Sequence, residues 1–110
     1  MIDDTLSKIE ARIQSADAIS DDKRRELQQL LATLKSEVAT LSRTHAGQAE
    51  HIAGLTEVST SEAIQGQTNP DRLRGSLNNL TSSVEEFETS HPRLVQIVNS
   101  ISSTLANLGI

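Results

Sequence analysis

Apolar residues recur at steps of three and four along most of the chain, the spacing that places them on one face of an α-helix. The first such segment runs from about 4 to 16 and carries Leu6, Ile9 and Ile13 on its apolar face. A short connection follows, and its last residue, Ser20, is suited to cap the next helix. The pattern therefore predicts a short N-terminal helix.

The second segment continues the pattern as a heptad repeat. Its seam consists of Leu27, Leu31, Leu34, Val38, Leu41, His45, Gln48, Ile52 and Leu55. The repeat predicts one helix from about 20 to 66, about 70 Å long at roughly 1.5 Å per residue. A loop over 66–70 follows, because Gly66 suits the end of a helix and Pro70 suits the first turn of another.

The third segment, about 71–109, has the same rhythm, with a kink or break at 90–92 where Pro92 interrupts the helix or starts a new one capped by Ser90. Its seam consists of Leu73, Leu77, Leu80, Val84, Phe87, His91, Leu94, Val98, Ile101, Leu105 and Leu108. When the chain folds back at the loop, the two seams face each other layer by layer, with Val38 opposite Val98 and His45 opposite His91. We therefore predict an all-α fold, a single helical domain over 1–110, built as a short helix plus a long, coiled-coil-like antiparallel hairpin.

A two-helix hairpin has one narrow core, so its flanks need a partner. Small residues recur every seven positions beside the seam of the long helix, namely Ala32, Ala39, Ala46 and Ala53. Small side chains allow another helix to approach closely, although alanine is also a good helix former on a solvated face. Because small single-core scaffolds gain stability by oligomerising, we predict a homo-oligomer with these alanines at its interface, a dimer being favoured.

The composition limits which partners and which cellular location we expect. The chain has 110 residues and a formal charge of −5, from 15 acidic and 10 basic residues, which argues against a nucleic-acid partner. No apolar run approaches the roughly 20 residues that span a bilayer, so we expect no membrane insertion. The acidic start of the chain does not resemble a signal peptide, and we therefore expect a soluble, cytoplasmic protein.

Chemistry-bearing motifs are scarce. The chain has no cysteine, which excludes disulfides, thiolate zinc sites and cysteine nucleophiles. Its serines occur in neither a Gly-x-Ser-x-Gly nor a Ser-x-x-Lys context, and its glycines do not form a phosphate-binding loop. No set of nucleophile, base and oxyanion donor emerges, so we predict that the protein is not an enzyme and that it uses no cofactor.

His45 and His91 share one layer of the predicted hairpin, and Glu88 has the Glu-x-x-His spacing that places it on the same helical face as His91. Three interpretations stay open: a neutral polar layer that sets the helix register, a pH-responsive pair, or a zinc-type site assembled by a dimer. We favour the structural layer and predict no resident metal. His51 lies off the seam and should face solvent.

The C-terminal part of the chain carries a resemblance. The stretch 84–94, which contains Phe-Glu-x-x-His-Pro-x-Leu, and the ending Leu-Gly-Ile resemble a family of short bacterial helical proteins catalogued as a domain of unknown function. The resemblance implies a small bacterial cytoplasmic protein and supplies no activity, substrate or catalytic residue. We therefore predict a non-catalytic helical interaction or scaffolding protein that acts through self-association and partner binding. The alternative is a metal-binding or pH-responsive bundle that uses His45, His91 and Glu88.

Overall fold

The computed structural model describes residues 2–17, 19–65 and 67–109. These residues form helices and turns without a strand, so the predicted all-α class is confirmed. The helices are α1 (Ile2–Ser15), α2 (Asp21–Ser42), α3 (Ala46–Ile64), α4 (Pro70–Ser83) and α5 (Pro92–Gly109), with a 3₁₀ turn at Glu85–Phe87 before α5. The helix end predicted at Gly66 lies outside the described residues.

Two of the helix starts have a side-chain cap; the Ser20 cap and the place of Pro70 in a first turn are as predicted, and the cap at Asn69 is an additional feature of the structure. The side chain of Ser20 accepts a hydrogen bond from the backbone N–H of Lys23, 3.3 Å away, in the first turn of α2. At α4 the side chain of Asn69 accepts from the N–H of Asp71 at 3.1 Å, and Pro70 fills the first helical position. Each cap satisfies a backbone donor that the helix itself leaves free.

Pro92 begins α5, as one of the two predicted alternatives states. The residue at its cap position is His91 and not the predicted Ser90, because the His91 carbonyl accepts from the N–H of Leu94 at 3.1 Å. A proline ring cannot donate a backbone hydrogen bond, so the first turn of a helix is the place where it fits.

The prediction of one long helix over 20–66 is wrong. The chain leaves the helix at 43–45, and the molecule measures only 37 × 25 × 21 Å, about half the length that a straight helix would need. His45 and Gln48, two successive seam positions, are exposed. Polar residues at both positions remove the apolar contact that would hold a straight seam together there. The chain instead bends, and α3 packs back against α2.

The third segment bends at the matching place, between the end of α4 and the start of α5, so the long straight hairpin is replaced by a hairpin folded at its middle. In one half α2 packs on α5, and the Thr104 hydroxyl contacts the Glu26 carboxylate at 3.3 Å. In the other half α3 packs on α4, and the Ser76 hydroxyl donates to the Glu62 carboxylate at 2.8 Å. Both pairs are antiparallel.

The helix α3 lies at the centre of this arrangement, in contact with α1, α2, α4 and α5. The short α1 covers α2 and α3 and buries Leu6, Ile9 and Ile13 completely. Arg24 of α2 fixes the position of α1, because its guanidinium donates to the carbonyls of Ile13 (3.1 Å) and Ala16 (2.5 Å) at the end of that helix. Carbonyls at a helix end have no partner within the helix, so a cation there is favourable.

Candidate functional site

The bend brings the two seam histidines onto one aromatic ring. The imidazole of His45, at the start of α3, meets the ring of Phe87 edge-on, with centroids 5.2 Å apart and an interplanar angle of 74°. The imidazole of His91, before α5, meets the same ring at 5.8 Å and 79°. Both histidines thus lie beside Phe87, at the fold in the middle of the hairpin.

The sequence predicts that the His45–His91 layer is buried, but the structure leaves it largely exposed. His45 and Glu88 are exposed, His91 is half-buried, and only Phe87 among these residues is buried. The hydroxyl of Thr44 lies 2.8 Å from Nδ1 of His45, so this ring nitrogen is hydrogen-bonded to the residue next to it in the sequence. Within the described part of the chain, no three histidine or acidic side chains converge on a point that could hold a metal ion. His51 is exposed, as expected.

The alanine stripe divides between two environments. Ala32 and Ala39 are exposed on α2, and Ala46 is exposed at the bend. Ala53 is 1% exposed within a single chain, because α3 is surrounded by the other helices. It therefore packs inside the molecule and offers no surface to a second copy.

The exposed alanines of α2 belong to a broader surface that carries no charged residue, which we name the uncharged face. It consists of the exposed residues of α2 between 29 and 40 and of α5 between 96 and 107, namely Gln29, Ala32, Thr33, Ser36, Ala39, Thr40, Gln96, Asn99, Ser100, Ser103 and Asn107. The charged residues of the same α2 stretch, Lys35 and Glu37, are half-buried, and Lys35 lies 3.9 Å from Glu10 of α1.

Two shallow grooves join the α2 and α5 parts of this face. One is lined by Thr33, Gln96 and Ser100, with Arg93 at its end. The second is lined by residues that include Leu30, Asn99 and Ser103, with Glu26 at its end. Charged side chains thus mark the two ends of the face, and hydroxyl and amide groups fill the middle. Hydroxyls and amides both donate and accept hydrogen bonds, so the middle suits a polar, uncharged partner surface.

Sequence reasoning missed the buried hydroxyls of α3. Thr56, Ser59 and Thr60 are each at most 1% exposed, although their residue types are normally found on surfaces. The Thr56 hydroxyl donates to the carbonyl of Ile52 at 2.8 Å. The Ser59 hydroxyl is buried with no hydrogen-bond partner among the described residues, and so is that of Ser102 on α5. The signal in the sequence is the run of small residues in α3, which permits several helices to approach it at once.

Basic residues cluster near the starts of two helices, Lys23, Arg24 and Arg25 in α2 and Arg72 and Arg74 in α4. Besides the buried contacts of Arg24, its guanidinium pairs with Asp21 at 2.5 Å. On α4 the guanidinium of Arg74 lies 3.4 Å from the Asp71 carboxylate, and both side chains are mostly exposed. Pairs of this exposed kind contribute little to stability.

Within the described residues, none of the helices combines the length and the hydropathy that a bilayer-crossing segment needs. Comparison with curated proteins and with solved structures finds no match to the chain. A family model described as "Domain of unknown function (DUF4404)" matches residues 27–110. That range begins at the first seam leucine of α2 and includes both halves of the folded hairpin and the bend between them. The chain therefore belongs to the DUF4404 family of domains of unknown function.

Proposed function

We propose that this protein is a non-catalytic helical interaction module that self-associates as a dimer through the uncharged face. The observation that carries the proposal is the lack of charged residues on that face, in a chain of which 23% is charged. The cores of protein interfaces are depleted in charged residues, because a charge must lose its hydration when a partner covers it.

A second copy of the chain is the partner that fits this composition. A two-fold interface sets the same patch of both copies against itself, so each group must complement its own kind. A serine hydroxyl or an asparagine amide can pair with an identical group, since each has a donor and an acceptor. Ala32 and Ala39 add small side chains that allow the backbones of two helices to approach.

The test is the mass of the chain in solution after a charge is placed in the face. Ala39→Arg should convert a dimer at high micromolar concentration to single chains in light scattering, because the guanidinium would be buried against its own copy. Ala11→Arg is the matched control, since Ala11 is exposed on α1, outside the face. A single-chain mass for the unchanged protein, or equal effects of the two variants, would refute the proposal.

We further propose that the module works in the bacterial cytoplasm, as the resemblance of its C-terminal stretch implies, and that the same face takes part in binding other protein partners. The metal-binding alternative would need ligands beyond His45, His91 and Glu88, since the structure does not group these three residues into a metal site.

A further inference from the structure

The junction between α2 and α3 lacks the capping chemistry found at other junctions. Helix α2 begins at the Ser20 cap, α4 at the Asn69 cap, and α5 at Pro92. Helix α3 begins after His45, whose side chain makes no capping hydrogen bond. The sequence therefore specifies a helix boundary strongly at the other junctions and weakly at this one.

The backbone of His45 is clearly non-helical at the interruption. Arg43 still has helical dihedral angles (φ −64°, ψ −32°), whereas His45 has φ −137° and ψ 60°. The N–H of His45 donates to the carbonyl of Leu41 at 2.8 Å, and the N–H of Ala49 donates to the carbonyl of His45 at 3.0 Å. Each bond joins residues four apart, as in an α-helix. The helical hydrogen bonds of α2 therefore end at the N–H of His45, and those of α3 begin at its carbonyl.

The residues of the junction themselves offer no steric obstacle to straightening. Residues 43–48 are all exposed, so no core side chain is held there. None of them is proline, and a Cβ placed on Gly47 would have no atom within 4 Å. Rotation at His45 would join α2 and α3 into one helix, the helix that the heptad pattern predicts for this segment.

A straightened chain cannot remain a stable single copy. It would carry α1 and α2 away from α3 and α5 and expose residues that are now fully buried, such as Leu34 on α2 and Ile101 on α5. A second straightened copy offers the same two surfaces, and each is the complement of the other. Every contact that now joins α1–α2 to α3–α5 would form again between the two copies.

We propose that the chain exchanges α1–α2 between two copies by straightening at His45, and that the resulting dimer contains two continuous α2–α3 helices. The edge-on contact of His45 with Phe87 holds the bend in the single-chain form. Exchange gives up that contact and gains the backbone hydrogen bonds of an uninterrupted helix. The α2–α5 surface keeps its neighbours in the exchanged dimer, so the exchange does not depend on the uncharged face.

Two substitutions at the junction should shift the equilibrium between the bent single chain and the exchanged dimer in opposite directions. His45→Ala favours the straight form, because residue 45 is helical only there and alanine is the better helix former. We expect the dimerisation constant, measured by light scattering over a concentration series, to rise about tenfold, which corresponds to about 1.4 kcal/mol. Ala46→Pro should abolish the exchanged dimer, since proline fits the first position of α3 and breaks a continuous helix.

Gly75→Ala is the matched control for the helix-propensity gain. Gly75 lies in α4, away from the junction, and its Cβ would also have no atom within 4 Å. It should leave the dimerisation constant unchanged. If His45→Ala loses its helical circular dichroism, His45→Gln repeats the measurement with a smaller expected rise, since glutamine is also a better helix former than histidine.

Cross-linking separates exchange from ordinary side-by-side association. The chain has no cysteine, and the guanidinium of Arg12 on α1 contacts the hydroxyl of Ser61 on α3, outside the uncharged face. With cysteines at both positions and a short bismaleimide, the isolated dimer should give covalent dimers on a denaturing gel. Dimers whose cross-links stay within one chain would overturn the exchange and leave the uncharged face as the interface. A His45→Ala variant with the dimerisation constant of the unchanged chain would also overturn the exchange.

Discussion

The two halves of the folded hairpin bury different kinds of side chain. In the α2–α5 half, the buried seam consists of large aliphatic residues, among them Leu34, Val38, Val98 and Ile101, all at 0% exposure. In the α3–α4 half, α4 contributes leucines, whereas α3 buries mainly alanine, serine and threonine. The same chain thus packs one pair of helices by filling the space between them and the other pair by bringing backbones close.

The difference follows from the number of neighbours. Helix α2 has α1, α3 and α5 beside it and keeps a solvated side, while α3 has α1, α2, α4 and α5 around it. A helix approached from so many directions has little room for branched side chains at each contact. Small residues leave the space that close helix contacts need. Buried hydroxyls such as that of Thr56 donate a hydrogen bond to a carbonyl in the preceding turn of their own helix.

The largest effect is expected from creating a cavity in the aliphatic half. Leu34→Ala should lower the free energy of unfolding by about 2–5 kcal/mol, since Leu34 is fully buried and its neighbours cannot collapse completely into the space. Chemical denaturation followed by circular dichroism measures this. Thr33→Ala, at the adjacent exposed position, should change stability by no more than about 0.5 kcal/mol. A loss below about 1 kcal/mol for Leu34→Ala would show that α2 is not packed against α5 as described.

The sequence predicts the aliphatic half well, and the reason is physical. An uninterrupted seam such as Leu27 to Leu41 has one apolar stripe, which must be buried whatever the partner is, and every seam residue of α2 is buried. The Ser20 cap and the helix start at Pro92 are local features, which depend on neighbouring residues alone. The family resemblance, carried by a short C-terminal string, is also confirmed.

The bend and α3 could not be predicted in the same way. A polar residue at a seam position fits either a buried polar layer or a helix end; the sequence favours the first for His45, whereas the structure leaves both His45 and Gln48 exposed. In α3 the buried side shifts from the predicted Gln48 and Leu55 to include Ala49 and Thr56. Crowding by several helices decides which residues are buried there, and crowding depends on the whole fold. The uncharged face likewise arises only when α2 and α5 lie side by side.

The crowding of α3 gives the second prediction. Ala53→Leu should lower the free energy of unfolding by about 1–3 kcal/mol, because the added carbons have no space at a position 1% exposed. Chemical denaturation measures the change. Gly54→Ala, at the next position, adds a carbon that would have no atom within 4 Å and should stabilise the protein by up to about 1 kcal/mol. Opposite signs at adjacent positions would confirm that one side of α3 is crowded and the other open, whereas stabilisation by Ala53→Leu would contradict it.

The smallest effect concerns the Ser59 hydroxyl, which is buried in α3 with no hydrogen-bond partner among the described residues. A buried, unpaired polar group is unfavourable by about 1–3 kcal/mol relative to its hydrated state, so removing it should stabilise the fold. Ser59→Ala should therefore raise the melting temperature, by about 4 °C for a gain of about 1 kcal/mol. Ser76→Ala is the same chemical change at the interface of α3 and α4, but there the hydroxyl donates to Glu62 at 2.8 Å, so this variant should melt at a lower temperature. Differential scanning calorimetry of the two variants compares their signs directly. A lower melting temperature for Ser59→Ala would mean that the hydroxyl is bonded within α3, and the small residues of this helix would then be selected for hydrogen bonding as well as for size.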